Sequence, residues 1–242
     1  MSKVERGKSL TVSDGWVLRN DTRSDAPGHD LWELAYSRFE TPEQEIRKFI
    51  KRLRQLGAKR WPRDAEILEA FCGRGSGLQA LNKLGFIHVE GADLSRSLLD
   101  KYEGPAKCYV CDCRQLPFND HSKDIVLING GLHHLQSFPE DLQQTLSEIN
   151  RVLRGDGLLG VVEPWLTPFL YFVHIVCNYR IARCISNKVD ALATMIQYER
   201  ETYEQWLRER QRILHVFDKF FQARRCWFRW GKFVYVGRKR NV

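Results

Sequence analysis

The stretch ILEAFCGRGSGLQAL, residues 67–81, decides the fold of this chain of 242 residues. It opens with a short apolar run that carries an acid at Glu69, and it continues into glycines at positions 73, 75 and 77. A buried strand that passes through a glycine-rich turn into a helix is typical of the first unit of a parallel α/β sheet. Such sheets bind their ligands beyond the carboxyl ends of the strands, where this turn lies.

Strand and helix patterns alternate after this turn. Short apolar runs and apolar residues at helical spacing predict strands at 65–71, 87–93, 107–113, 124–130 and 157–164, and helices at 76–85, 95–102 and 139–154. Strands separated by helices imply right-handed crossovers and a parallel sheet that is covered on both faces. A closing pair of strands joined near Gly231 is predicted after a further helical stretch.

The first part of the chain predicts a helical extension. Thr41 and Gln44 form a capping box around Pro42 at the first helical position, and Gly57 ends the helix. We expect residues 1–64 to form an N-terminal helical extension or lid.

The composition is that of a globular domain in a reducing compartment. Hydrophobic residues make up 43% and charged residues 28%, which suffices for one full core. No apolar run is long enough to span a membrane, and the first residues, MSKVERGKSL, lack the apolar region of a secretory signal. The seven cysteines have no framework spacing, so we expect a cytoplasmic protein. The net charge of +8 is scattered and gives weak support for an anionic partner.

The glycine spacing argues against a phosphate site. A P-loop needs Lys-Ser or Lys-Thr after its glycines, and a dinucleotide fingerprint needs a third glycine where Leu78 stands. Asp93 ends the next strand, 20 positions after Gly73, where a carboxylate can accept hydrogen bonds from ribose hydroxyls. Asp112 ends the third strand, where an acid can accept from an adenine amine. These residues favour a nucleoside without a pyrophosphate.

Taken together, the sequence resembles the class I S-adenosylmethionine-dependent methyltransferases, in the methyltransferase type 11 group that includes quinone-biosynthesis enzymes. The resemblance covers residues 65–164 and rests on five motifs in order: ILEAFCGRGSG (67–77), GADLS (91–95), CDCRQLPFNDHSKDIV (111–126), NGGLHHL (129–135) and EINRVLRGDGLLGVVEP (148–164). The sequence departs from the family at Phe71, which stands where the first glycine of the motif is usual.

The resemblance implies a fold, a cofactor and a set of binding residues. The fold is α/β, a doubly wound, seven-stranded and mostly parallel sheet of the Rossmann-like methyltransferase kind, with a helical cap inserted after strand 5. The cofactor is S-adenosyl-L-methionine. The matching cofactor-binding residues are Glu69, Gly73 and Gly75 for the methionine part, Asp93 and Leu94 for the ribose and adenine, Asp112 and Cys113 for the adenine, and Asn129 and Gly130 for the amino group.

Local roles compete with some of these assignments. Glu69 could orient the loop through backbone amides, Asp93 could cap a helix, and Asp112 could form a turn. His133 and His134 follow the fourth strand near the expected methyl group, and a histidine can take the proton of an attacking hydroxyl or amine. Packing is the alternative for this pair, because methyl transfer can proceed on alignment alone.

The remaining chain is predicted to complete the methyltransferase domain at 65–242, with a helical substrate cap at 165–212. Within this cap, FLYFVHIVC at 169–177 fits pocket lining or core better than a membrane-surface element, although lipid contact stays an alternative. Tyr36 and Phe39 either close over the cofactor or pack the entry of their helix.

We therefore predict methyl transfer to an oxygen or nitrogen of a small molecule, such as a glycan precursor, lipid or quinone. An RNA methyltransferase, a non-catalytic cofactor-binding protein and a nicotinamide dehydrogenase are the rivals. Nucleic acid is not the expected partner, because no concentrated basic stripe is visible. No metal is expected, because Cys108 should point away from Cys111 and Cys113 in a strand.

Overall fold

The computed structural model describes residues 11–13, 16–18 and 29–240, which form one sheet of nine strands with helices on both faces. The strands are β1 (Thr11–Ser13), β2 (Trp16–Leu18), β3 (Glu66–Ala70), β4 (His88–Asp93), β5 (Lys107–Val110), β6 (Lys123–Asn129), β7 (Leu153–Pro164), β8 (Phe221–Arg229) and β9 (Lys232–Lys239). Their order across the sheet is β1-β2-β5-β4-β3-β6-β7-β9-β8.

The strands from β3 to β9 form the predicted sheet. The five strands from β3 to β7 are parallel, and β9 lies antiparallel between β7 and β8. The seven-stranded, mostly parallel α/β prediction is therefore confirmed, and the closing pair turns at Gly231, where φ is 72°. The short strands β1 and β2, which the sequence did not predict, extend the edge beyond β5.

The chain reverses its direction of travel across the sheet at β3. It runs from β3 through β4 to β5 on one side, and β6 then pairs with the other side of β3. In open α/β sheets the crevice at such a reversal, beyond the carboxyl ends of the strands, is where ligands bind. The glycine loop after β3 opens into this crevice.

Ten helices are present in the described part of the chain. They are α1 (His29–Phe39), α2 (Pro42–Leu56), α3 (Ser76–Lys83), α4 (Arg96–Leu99), α5 (Glu140–Val152), α6 (Pro168–Asn178), α7 (Arg180–Ile185), α8 (Asn187–Tyr198), α9 (Arg200–Arg208) and α10 (Arg210–Phe220). Short 3-10 turns add Ala58–Arg60 and Leu132–His134. The predicted capping box of α2 is confirmed, with Thr41 as the cap, Gln44 as its partner and Gly57 in the left-handed region at the end.

Two hydrophobic cores lie on opposite faces of the sheet. On one face, α2 and α3 bury Phe49, Leu53 and Leu81 against the strands. On the other, α5 and α10 bury Ile149 and Phe217. Because both faces are covered, the central strands β3 and β6 are buried along almost their whole length, as parallel sheets require.

The helical insert after β7 packs over one end of the molecule. Trp206 on α9 donates its indole N–H to the Pro164 carbonyl at 2.9 Å, which fixes α9 to the end of β7. Within α6, Cys177 is buried, and Phe172, Val173, Val176 and Cys177 line an apolar groove, as expected for this segment. The outward aromatic side chains of α6 face solvent. An 11-residue helix with partners on one side leaves its opposite side exposed.

Part of the predicted N-terminal extension, including MSKVERGKSL, lies outside the described residues. The structure describes α1, α2 and the following turn within residues 1–64, together with the two short strands. No helix in the described ranges is both long and apolar enough to cross a membrane.

Candidate active site

Three alternate residues of the glycine loop have left-handed backbone conformations. The φ angle is 57° at Phe71, 53° at Gly73 and 76° at Gly75. A side chain in this region is disfavoured by roughly 1–2 kcal/mol, so Phe71 is held in a conformation that favours glycine. The departure from the family motif thus changes the side chain at this position and keeps the left-handed turn.

The Phe71 side chain packs beside the segment that follows β6. A Cβ atom built at Gly131 would lie 2.3 Å from the Cβ of Phe71, a separation that real side chains do not reach. Phe71 also packs against the core on the α5 face of the sheet. The aromatic ring therefore bridges the loop after β3 and the loop after β6, and it needs a glycine at 131.

Arg74 ties the glycine loop to the N-terminal helices. Its Nε donates to Glu45 Oε2 at 2.9 Å, and its guanidinium lies 4.4 Å from the centre of the Tyr36 ring. Glu45 is buried and also accepts hydrogen bonds from Ser76 Oγ, at 2.6 Å, and from the Tyr36 hydroxyl. Tyr36 is thus packed on the loop, whereas Phe39 lines an apolar groove with α6 and α8.

Asp93 connects the ends of β3 and β4. Its carboxylate accepts from the Gly73 amide at 2.7 Å and from the Ser95 amide at 2.8 Å. The cap of α4 is Ser95, whose hydroxyl accepts from the Leu98 amide, so Asp93 is not the capping residue. Leu94 beside it is 51% exposed and offers an apolar surface next to the carboxylate.

Glu69 and Asn129 form a buried pair across β3 and β6. The Asn129 side-chain amide donates to Glu69 Oε1 at 3.3 Å, while Glu69 Oε2 and Asn129 Oδ1 have no hydrogen-bond partner. Burial raises the pKa of Glu69 to about 8, and the carboxylates of Glu45 and Asp93 act in the same direction. A Cβ at Gly77 would lie 2.0 Å from Glu69 Oε1, so the loop has room for this acid only because 77 is glycine.

Asp112 is engaged by a neighbouring arginine. It accepts from the Arg114 backbone amide at 2.9 Å and from the guanidinium at 2.6 Å, and Arg114 also contacts Asp141 at 2.6 Å. Partial burial raises the pKa of Asp112, but Arg114 outweighs it and holds the pKa below its usual value. The turn predicted as the alternative for Asp112 is present, and Cys113 next to it is buried.

His133 is held by two carboxylates. Its Nδ1 lies 2.7 Å from Glu163 Oε2, and its Nε2 lies 3.6 Å from Glu199 Oε2. Glu163 also accepts the amides of Gly131 and Leu132 at 2.8 and 2.9 Å. Burial opposes the charge on His133, but the two carboxylates outweigh it and raise its pKa to about 10. His133 is therefore an imidazolium at neutral pH.

His134 differs from His133 in exposure and in charge. Its side chain is 40% exposed, and its Nδ1 lies 3.8 Å from Glu199 Oε1. Contact with surrounding protein atoms and the positive charge of His133 lower its pKa, so His134 is neutral at pH 7 and able to accept a proton. One side-chain nitrogen or oxygen atom of each of His133, His134 and Glu199 lies within 4.8 Å of the others. The positive charge in this cluster is that of the protonated His133 ring.

The structure brings the predicted residues together in three groups at the carboxyl edge of the sheet. The Gly73 amide is hydrogen-bonded to Asp93, and the Asn129 side chain is hydrogen-bonded to Glu69. The rings of the two histidines lie side by side with centres 4.1 Å apart. Gly130 follows β6 with φ of 74°. Asp112 stands apart from these groups, because its partner is Arg114.

Sequence reasoning missed several residues of this site. Glu163 had a visible signal, since an acid within the apolar run of β7 repeats the pattern of Glu69 in β3. Arg74 and Glu45 had none, because they meet across 29 residues of chain. Glu199 lies on the insert, which carries no motif.

Comparison with known proteins agrees with this arrangement. Residues 68–161 match the methyltransferase domain family. A demethylmenaquinone methyltransferase from Lactobacillus johnsonii is 36% identical over 107 residues, which is 40% of this chain and 42% of that protein. The chain thus matches less than half the length of this curated relative.

Solved structures share the fold at low sequence identity. The PH0226 protein of Pyrococcus horikoshii aligns with a TM-score of 0.65 and 18% identity over 87% of this chain and 99% of its own. The plantazolicin methyltransferase BpumL, solved in complex with SAH, aligns with a TM-score of 0.61 and 14% identity over 89% of this chain and 92% of its own. These alignments confirm the predicted fold, and the methyltransferase family match covers residues 68–161, which is less than half of the chain.

Proposed function

We propose that this chain, which carries a class I methyltransferase domain over residues 68–161, transfers a methyl group from S-adenosylmethionine to an oxygen or nitrogen of a small molecule. The observation that carries the proposal is the pair of unsatisfied acceptors, Glu69 Oε2 and Asn129 Oδ1, buried at the carboxyl ends of adjacent strands. Buried acceptors without donors are rare in native proteins and are disfavoured by about 1–3 kcal/mol each. A ligand ammonium group would satisfy both.

The loop geometry supports the same cofactor. Left-handed glycines at 73 and 75 let the backbone approach an amino-acid moiety closely, and the spacing offers no phosphate cradle. Glu69 is uncharged in the free protein at neutral pH, because its pKa is about 8. A bound cation would favour its ionised form and would gain a charge-assisted hydrogen bond.

The nucleoside would lie between the ends of β4 and β5. The Asp93 carboxylate accepts the backbone amides of Gly73 and Ser95, which hold it in one orientation at the end of β4. A carboxylate in this position would accept hydrogen bonds from ribose hydroxyls. The exposed Leu94 side chain is suited to the face of an adenine. Asp112 would accept a hydrogen bond from the adenine amine on the side that Arg114 leaves open. Alternatively, the backbone of the neighbouring Cys113 would contact the adenine.

The chemistry needs a positioned acceptor and a place for its proton. S-adenosylmethionine would supply the methyl group, which would pass to an in-line nucleophile as the bond from methyl carbon to sulfur breaks and S-adenosylhomocysteine leaves. Neutral His134 is the better base, since His133 is already protonated and faces two carboxylates. Positioned bases of this kind contribute about 10²–10⁴-fold to rate. Glu163 acts on the loop through His133, and so positions His134.

The acceptor would enter beneath the helical insert. Glu199, the residue before α9, reaches the histidine pair, so the insert borders the place where the methyl group would be transferred. Among small molecules, a quinone or lipid is supported by the name of the Lactobacillus johnsonii relative. We place the protein in the cytoplasm, which is supported by seven cysteines, all within the described residues, that form no disulfide with one another.

Incubation with methyl-labelled S-adenosylmethionine and separated quinone, polar-metabolite and RNA fractions tests this function. We expect label in a low-molecular-weight fraction and a loss of about a hundredfold or more, from the low end of base catalysis upward, for His134→Gln. Arg208→Gln, which removes an exposed cation paired with Glu204, is the control. Label in RNA, or no transfer by a protein that binds S-adenosylhomocysteine, would contradict the proposal.

A further inference from the structure

The outward face of α6 is apolar and uncovered. Phe169, Tyr171, Phe172 and Ile175 expose 45%, 61%, 62% and 36% of their surface. No charged residue occurs in α6, so nothing on this helix interrupts the apolar surface. Single exposed apolar residues are ordinary, but a contiguous aromatic face on a helix marks an interaction surface.

The neighbouring elements continue this surface. On α7 and just before it, Ile181, Ile185 and Tyr179 expose 75%, 80% and 62% of their surface. The exposed Trp230, in the turn between β8 and β9, meets Phe169 edge to face with ring centres 5.4 Å apart. The outward sides of α6 and α7 together with Trp230 are called the docking face below.

Positive charge borders the docking face. Residues 165–189 contain three basic residues and no Asp or Glu, and residues 219–240 contain eight basic residues and no Asp or Glu. Arg180 and Lys188 are exposed, and the described residues give neither a carboxylate partner. Arg183 differs, because it is paired with Asp190 at 2.9 Å. Both segments therefore carry a net positive charge.

We propose that the docking face binds the surface of an anionic phospholipid bilayer. Its aliphatic and phenylalanine side chains would enter the boundary between headgroups and acyl chains. Tyr171, Tyr179 and Trp230 have apolar rings with polar tips, which suit the membrane interface. Arg180 and Lys188 would meet the lipid phosphates.

The length of α6 fits a surface position. Its 11 residues span about 16 Å, roughly half of the hydrocarbon thickness of a bilayer. The helix therefore lies in the plane of the interface. Because α6 begins four residues after the end of β7, the docking face adjoins the carboxyl edge of the sheet.

Two other occupants fit the docking face less well. A symmetric dimer would place Arg180 and Lys188 against their own copies, with no acid in 165–189 to neutralise them. RNA would pair with the cations and stack on the aromatic rings, but it offers no apolar phase for the exposed Ile175, Ile181 and Ile185. An anionic bilayer satisfies both the apolar and the basic residues.

Flotation of the full chain with vesicles tests the proposal without any cofactor. We expect binding to phosphatidylcholine vesicles that contain phosphatidylglycerol, and little binding to phosphatidylcholine alone. Phe172→Glu should lower partition about tenfold or more, because a buried aromatic surface is lost. Arg180→Gln and Lys188→Gln should each lower it about fivefold.

Matched controls carry the same changes elsewhere. Ile87→Glu alters an isoleucine that is 68% exposed and lies just before β4, at the amino ends of the parallel strands. Lys59→Gln removes an exposed cation after α2. Both should bind vesicles like the wild type. All variants should keep their thermal unfolding and their affinity for S-adenosylhomocysteine, which separates this proposal from the methyltransferase activity.

Three results would overturn the proposal. The first is equal binding to neutral and anionic vesicles, or an equal loss of vesicle binding in Phe172→Glu and Ile87→Glu. The second is a concentration-dependent dimer that Phe172→Glu dissociates while vesicles bind nothing. The third is RNA retention that depends on Arg180 and Lys188 in a protein that ignores vesicles.

Discussion

Phe71 fills the space that a side chain at residue 131 would need, since a Cβ built at Gly131 would fall 2.3 Å from the Cβ of Phe71. Phe71 itself keeps a left-handed backbone, with φ of 57°. The two positions are therefore coupled: the aromatic ring replaces the usual motif glycine, and the glycine after β6 makes room for it.

Gly131→Ala should destabilise the protein by about 1–3 kcal/mol, because it overpacks the contact with Phe71. The backbone at Gly131 is acceptable to alanine, with φ of −119°, so the effect is steric. Denaturant unfolding measures it. Gly155→Ala is the control, because a Cβ there meets nothing within 4 Å. The penalty should shrink in a Phe71→Ala background, and an undiminished penalty there would refute the coupling.

Arg74→Met should release α1 and α2 from the glycine loop. Glu45 would lose its ion pair while buried, which destabilises such sites by about 3–5 kcal/mol. Faster hydrogen exchange in α1, measured by mass spectrometry, is the expected sign. Arg96→Met breaks an exposed pair with Asp100 and should change little. Equal hydrogen exchange of α1 in the two variants would contradict the inference that Arg74 holds α1 and α2 on the glycine loop.

Binding of S-adenosylhomocysteine should release a proton at pH 7. The Glu69 carboxyl, with a pKa of about 8, is about nine-tenths protonated there in the free protein, and a ligand ammonium favours the ionised form. Calorimetry in buffers of different ionisation heat should detect the release of nearly nine-tenths of a proton for each ligand bound. Glu69→Gln should abolish the release, and the exposed Glu103→Gln should keep it. Proton uptake, or release in Glu69→Gln, would remove Glu69 from this role.

His133 should make stability depend on pH. Its folded pKa of about 10 lies above the ordinary value of 6.5, so its stabilisation is complete below pH 6.5 and is lost as the pH rises toward 10. The wild type should lose stability steadily relative to His133→Gln as the pH rises across this window. Urea unfolding at several pH values measures the difference. His88→Gln, which alters a half-exposed ring, should show no such trend, and parallel curves for His133→Gln would contradict the assignment.

The sequence predicted the sheet because its signals are local. The capping box at Thr41, the glycine loop and the apolar runs of the five parallel strands each lie within a few residues, and the structure has them at those places. The left-handed turn at Phe71 could not be foreseen, because a phenylalanine there gives no conformational signal. Its explanation is Gly131, 60 positions later in the chain.

The site was predicted less completely because its contacts cross the fold. Asp93 and Gly73 are separated by one strand and one helix, and the motif spacing relates them. Arg74 and Glu45, or His133 and Glu199, meet only when the extension and the insert are packed. The same limit applies to α6, because its apolar residues predict pocket lining or core without telling which of them line the groove and which face solvent.

Calorimetric titration of Asp93→Ala with S-adenosylhomocysteine tests the central claim most directly. The account predicts binding by the wild type, no binding of NAD, and an affinity about 10–100-fold weaker in Asp93→Ala, because hydrogen bonds from the ribose and the Gly73 amide are lost. Asp100→Ala, which removes an exposed acid at the end of α4, should bind like the wild type. Unchanged affinity in Asp93→Ala, or tight binding of NAD without S-adenosylhomocysteine, would contradict the account.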